Sequence, residues 1–281
     1  MRARAAHDRA ALRMEWFRDW RRRRVLRQGG LDEHLWRKAL ERHEFLRTLS
    51  SDERARLRDC VLLFLHEKSM HGARGLIVSD EMRVAIAAQA CILILNLDID
   101  FYRGWVDIIV YPDEFVAEYE YTDEDGVVHA VREPMTGESW GAGPLILSWA
   151  DAGETKPGTG YNVVIHEFAH KIDMLNGDAD GFPPLHADME RNEWLRVFTR
   201  AYEDLCAALE RAEETAIDPY AAEHPSEFFA VMSEAFFDLP MAVRARYPDV
   251  YAQLSRFYRQ DPAARVARVC HLAEALPVHG R

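Results

Sequence analysis

The chain has few cysteines, no long apolar run and an acid-dominated body, and each of these features excludes a class of protein. Its 281 residues include four cysteines, Cys60, Cys91, Cys206 and Cys270, all far apart. No Cys-x-x-Cys pair occurs, so neither a thiolate zinc site nor a dithiol redox motif is encoded. Scattered thiols in helix-like contexts are expected as core residues in a reducing compartment. The longest apolar stretch, VAIAAQACILILNL at 84–97, is interrupted by Gln89. It is shorter than the roughly 18 residues that span a bilayer, which predicts a buried helix and no membrane span. The first residues lack the apolar centre of a secretory signal, and a cytoplasmic location is expected.

Charge is unevenly distributed. Residues 1–30 hold ten arginines against three acidic residues, a net of +7; the whole chain is −12, which leaves −19 on residues 31–281. An acidic body offers no broad basic face to neutralise phosphates, so direct nucleic-acid binding is not expected. Residues 1–30 read as a basic N-terminal tail, solvated and partly disordered. Its stretch WFRDWRRRRVLRQ (16–28) has the arginines and tryptophans of segments that touch anionic surfaces.

The remainder is a globular chain with 48% hydrophobic and 11% aromatic residues. Helical spacing of apolar residues dominates from 31 to about 100, beginning with LDEHLWRKALERHEFLRTL (31–49). Ser79 is a plausible cap for the apolar helix that follows it. From 101 to 150 the pattern changes to short strand-like runs, WVDIIVY, EFVAEYEYT, GVVHAVRE and GPLILSW, with TDEDG (122–126) as a hairpin connection. Helical patterns resume from about 160 to 275. The expected fold is a single α+β domain over 31–275, and no internal repeat is evident.

One helix carries chemistry. YNVVIHEFAHKIDMLNG (161–177) has Asn162 to cap it and Asn-Gly to stop it. His166 and His170 lie one turn apart on one face, so both imidazoles can reach one ion. Glu167 is offset by about 100° around the axis, the position of a base acting on a metal-activated water. Asp173 lies on the histidine face, suited either to orient a histidine or to stand as a helix-surface carboxylate. A third ligand is required. In HPSEFFAVMSEAFF, after a helix start at Pro225 and Ser226, Glu227 and Glu234 are two turns apart on a strongly apolar helix. Spacing does not choose between them, and His186 and His224 are further alternatives.

VVIHEFAHKIDMLNG, DEMRVAIAAQAC, GPLILSW and DPYAAEHPSEFFAVMSEAFF resemble, in sequence and order, the Mlc titration factor A family of bacterial zinc metallopeptidases. The resemblance covers about residues 30–265. It implies a zincin-like fold whose catalytic part is similar to the anthrax lethal factor protease, with a tyrosine seven residues before the glutamate ligand. That spacing picks out Tyr220 and Glu227 and leaves Glu234 a supporting role. The resemblance further implies one Zn2+ held by His166, His170 and Glu227, with Glu167 as general base and Tyr220 as oxyanion donor. It implies aminopeptidase-like cleavage of short peptide substrates and binding of a Mlc-type transcriptional repressor. The strand GPLILSW is expected to be a core strand or to present backbone groups to an extended substrate.

Overall fold

The computed structural model describes residues 16, 18–113, 115–122, 128–135, 137–139, 143–153 and 158–274. Helix α1 (residues 18–28) precedes α2 (Glu33–Arg42), α3 (Glu44–Arg47) and α4 (Ser51–Glu67). Strand β1 (Ser69–Gly72), helix α5 (Asp80–Leu93) and strands β2 (Asp107–Tyr111), β3 (Phe115–Thr122), β4 (Val128–Met135), β5 (Gly137–Ser139) and β6 (Leu145–Ser148) follow. The rest is helical: α6 (Trp149–Gly153), α7 (Val163–Asp173), α8 (Arg191–Glu210), α9 (Pro225–Asp238), α10 (Pro240–Arg246), α11 (Pro248–Tyr258) and α12 (Pro262–Glu274). This is the expected α+β architecture.

Local chemistry sets the element starts. Ser50 and Glu53 form a reciprocal capping box at α4, and Ser79 Oγ accepts the Met82 N–H at 3.3 Å to open α5. Both devices satisfy amide groups that a helix start leaves unpaired. In α5 only Asp80, Glu81 and Arg83 escape burial; Met82 and every residue from Val84 to Leu93 are buried.

The main sheet has the order β1-β2-β6-β5. Strands β1, β2 and β6 are parallel, with Met70 beside Ile108 and Ile108 beside Leu145, and β5 closes the sheet antiparallel to β6. Strands β3 and β4 form a separate antiparallel pair from Phe115↔Met135 to Thr122↔Val128. Of the hairpin connection expected at 122–126, Thr122 ends β3 and residues 123–126 lie outside the described residues.

Helix α7 packs against β5, β6, α5 and α9, at the boundary between sheet and helices. Its Phe168 is fully buried against Phe64, Tyr102 and Trp105, with ring centroids 5.0–5.7 Å away. Deleting such a ring costs about 3–5 kcal/mol. Helix α9 is held from the other side: Phe229 meets Trp194 and Phe257, and Phe236 meets Tyr258.

Several expectations need correction. The helical stretch expected from 31 to about 100 is interrupted by β1, whose Ser-Met-His-Gly sequence has no β-branched residue to signal a strand. The helix expected over 31–49 breaks at His43, which is extended (φ −122°, ψ 141°). GPLILSW is a strand only at Leu145–Ser148, and β6 is paired on both sides, so it has no free edge for a substrate. Residues 18–28, expected in a solvated tail, are helical. Arg22 anchors them to the body through Glu67 (3.3 Å), Asp98 (3.4 Å) and Asp100 (2.5 Å). No helix among the described residues is long and apolar enough to cross a membrane.

His43 at the α2–α3 break is buried and stacked on Phe45, and its Nε2 has no hydrogen-bond partner. Burial, with the Arg42 and Arg47 charges, depresses its pKa to about 4. The unfolded chain titrates near 6.5, so it binds the proton first as pH falls. The neutral-His43 fold is therefore fully stable above about pH 6.5 and loses on the order of 3 kcal/mol on acidification to pH 4. Urea unfolding at pH 7 and pH 4.5 is expected to show His43→Phe losing less stability than wild type. Equal losses would remove His43 as a source of acid sensitivity.

Candidate metal centre

The site is assembled by α7 and α9 crossing with their acidic and imidazole faces inward. Asn162 Oδ1 caps α7 by accepting the Ile165 N–H at 2.9 Å. Nearly the whole helix is buried, which makes its polar groups expensive unless they are partnered. Pro225 occupies the first position of α9, and His224 Nδ1 accepts the Ser226 N–H at 3.2 Å.

Three side-chain atoms converge. His166 Nε2 lies 3.1 Å from His170 Nε2 and 3.0 Å from Glu227 Oε2, and His170 Nε2 lies 3.3 Å from the same oxygen. On the far side of its ring, His166 Nδ1 is 2.8 Å from Glu234 Oε1. A carboxylate only accepts, so that bond puts a ring proton on Nδ1 and leaves Nε2 as the nitrogen on the side of Glu227 and His170. The backbone N–H of Asn162 donates to Glu234 Oε2 and fixes the carboxylate in turn.

The electrostatics call for a cation at the convergence. Burial alone would depress the His166 imidazole, but its bonds to Glu227 and Glu234 hold its pKa well above the ordinary value. Burial pushes Glu227 up, yet hydrogen bonds to His166 and His170 hold it far below the carboxylate range. Both shifts express one demand, for positive charge between two nitrogens and a carboxylate. A tetrahedral zinc with bonds of about 2.0–2.1 Å spaces its ligand atoms roughly 3.3 Å apart. The observed separations come within a few tenths of an ångström of that, so the donor set fits such an ion.

The neighbouring groups differ in environment. Glu167 is buried, its Oε2 has no hydrogen-bond partner, and burial raises its pKa against the pull of His166 and His170. Tyr220 sits on the short 3-10 turn Pro219–Ala222, exposed, with its ring 6.0 Å from that of His166. Asp218 Oδ1 holds the turn by accepting the Tyr220 N–H at 2.9 Å.

The alternatives raised by the sequence lie elsewhere. His186 Nε2 bonds to the Phe257 carbonyl at 2.8 Å, and His224 is the α9 cap. Asp173 is fully buried, with Oδ2 accepting the Gly181 N–H at 2.8 Å, which anchors the loop after α7. Its Oδ1 and His170 Nδ1 are both buried without a hydrogen-bond partner, so Asp173 makes no bond that orients a histidine. Sequence reasoning missed the link from Asn162 Nδ2 to Gln89 Oε1 at 2.9 Å. The only signal was Gln89 itself, a lone amide within an apolar helix. It also missed Lys171, buried on α7 and donating to the Gly143 carbonyl at 2.9 Å.

The family model described as glucose-regulated metallo-peptidase M90 matches residues 17–259. The chain belongs to that family. Relatives of this M90-family chain include Mlc titration factor A of Klebsiella pneumoniae subsp. pneumoniae, 35% identical over 85% of this chain and 90% of the relative. Mlc titration factor A of Serratia proteamaculans is 38% identical over 78% of this chain and 85% of its own length. Its counterpart in Salmonella typhi is 37% identical over 78% and 83%. Membership gives the convergent His-His-Glu set of this M90-family chain a metallopeptidase context.

Proposed function

We propose that the chain is a zinc-dependent peptidase of aminopeptidase-like specificity with a zincin-like catalytic part, acting on short peptides in the cytoplasm. One Zn2+ per chain would be held by His166, His170 and Glu227. The observation that carries the reading is the convergence of those three ligand atoms beside a buried Glu167 oxygen with no partner.

A zinc ion held there would supply Lewis acidity, enough to bring the pKa of a water toward about 7. The protein's own groups do the rest. Glu167 takes the proton from the attacking water and passes it to the leaving amine. The Tyr220 hydroxyl, on an exposed turn beside His166, donates to the negative charge developing on the carbonyl oxygen. Glu234 keeps the His166 ring turned and its Nδ1 protonated.

A second reading rests on the relatives' name: a regulatory protein that sequesters a Mlc-type transcriptional repressor, with little catalysis. Binding of such a repressor is compatible with catalysis, and Glu167 favours the enzyme, because a pure binder has no use for a base in that position. Hydrolysis of amino-acid and peptide anilides by the purified protein tests the reading. Within it, Tyr220→Phe is expected to lower kcat about 10²-fold with zinc content unchanged, as loss of one oxyanion donor does. An unchanged kcat would remove Tyr220 from the mechanism.

A further inference from the structure

Away from the metal centre the chain builds a concave surface whose lining carries three arginines against two acidic residues. A cavity of about 220 Å3 lies between α8 and the α10–α11 corner, lined in part by Arg196, Arg200, Asp204, Arg246, Tyr247 and Asp249. Neither α8 nor α11 supplies a residue to the His166 centre. Arg196 and Arg200 stand one turn apart on α8, so both reach one opening. Arg246 ends α10 on the opposite wall, ion-paired to Asp204 at 2.5 Å and stacked 4.9 Å over the Tyr247 ring.

That pairing commits the Asp204 charge to Arg246. Among the described residues, Arg196 and Arg200 have no hydrogen-bonded or ion-paired partner. With −19 spread over residues 31–281, carboxylates are plentiful, yet none is placed on these two guanidinium groups. Asp249, at the start of α11, is the cavity's other carboxylate, so three arginines face two acids. Helix α11 opens on the same cavity with Pro248 in its first turn and no side-chain cap.

We infer that this cavity binds a small phosphate monoester, with the phosphoryl group between Arg196 and Arg200 and the organic part against Tyr247. Guanidinium forks match phosphate oxygens in bidentate fashion, and a phosphoryl group has three terminal oxygens to engage two free forks. A carboxylate has only two. The apolar lining, Val197, Pro248 and Val250, suits a compact organic group rather than a nucleic-acid backbone.

The test titrates inorganic phosphate, then simple phosphate monoesters, into the full-length protein by calorimetry at constant ionic strength, with chelator present throughout. Saturable binding at one site per chain is expected, at least tenfold weaker in the Arg196→Gln, Arg200→Gln double variant. Circular dichroism checks the fold of that variant. Arg200→Lys, which keeps the charge and loses the fork, is expected to weaken binding severalfold. No saturable binding in wild type, equal affinity in either variant, or tighter binding of the matching carboxylates would overturn the proposal. Binding that appears only in a parallel titration without chelator and with zinc added would place the phosphate at the metal centre and overturn it equally.

Discussion

Glu167→Gln is expected to lower peptide hydrolysis by about 10³- to 10⁴-fold while leaving zinc content at the wild-type level. The substitution keeps volume and shape at a buried position on α7, so the fold has little reason to change. What it removes is the ability to take a proton. Glu167 is not part of the converging trio: the three ligand atoms belong to His166, His170 and Glu227. Catalysis and metal retention should therefore separate in this variant. Metal analysis beside steady-state kinetics on a peptide anilide reads both. Hydrolysis near the wild-type rate would sink the assignment of the base, whatever the metal content.

Glu227→Ala should do the reverse and strike metal binding first. Glu227 Oε2 is the only formal negative charge among the three atoms, at 3.0 and 3.3 Å from the two imidazole nitrogens. Loss of a group that merely orients a ligand typically weakens metal binding by 10–100-fold. Loss of the anionic ligand is therefore expected to weaken zinc by more than about 100-fold. Activity should fall with the metal and recover in part at high added zinc. Competition against a chromophoric chelator measures the affinity, and an unchanged value would exclude Glu227 as a ligand.

Much of this centre is legible in the sequence because its determinants are local. His166, Glu167 and His170 share one helix whose cap, Asn162, and whose stop, Gly177, are encoded a few residues away. The glutamate is different. Glu227 and Glu234 fall on one face of α9, and periodicity gives them equal standing. Only the crossing of α9 over α7 puts Glu227 at the Nε2 side of His166 and Glu234 at the Nδ1 side. The resemblance chose Glu227 by the position of Tyr220, a piece of family information that periodicity does not contain, and Glu227 is the glutamate whose carboxylate converges with both imidazoles.

What was not legible is non-local in the same sense. Strand β1 exists because β2 pairs with it in parallel, and Ser-Met-His-Gly has no strand preference of its own. The edge of β6 is covered by β5, a three-residue strand without an apolar run. Helix α1 is anchored by Arg22 reaching carboxylates some 45 to 78 positions away. The Gln89–Asn162–Glu234 links span more than seventy residues. Each depends on a long-range contact, where composition and period carry no signal.

The most direct test of the central claim is hydrolysis of an amino-acid anilide by the purified protein before chelation, after chelation and after zinc is restored. The account predicts activity that disappears with the chelator and returns as zinc reaches one ion per chain. Activity indifferent to the chelator, or a protein that binds no zinc at His166, His170 and Glu227, would contradict it.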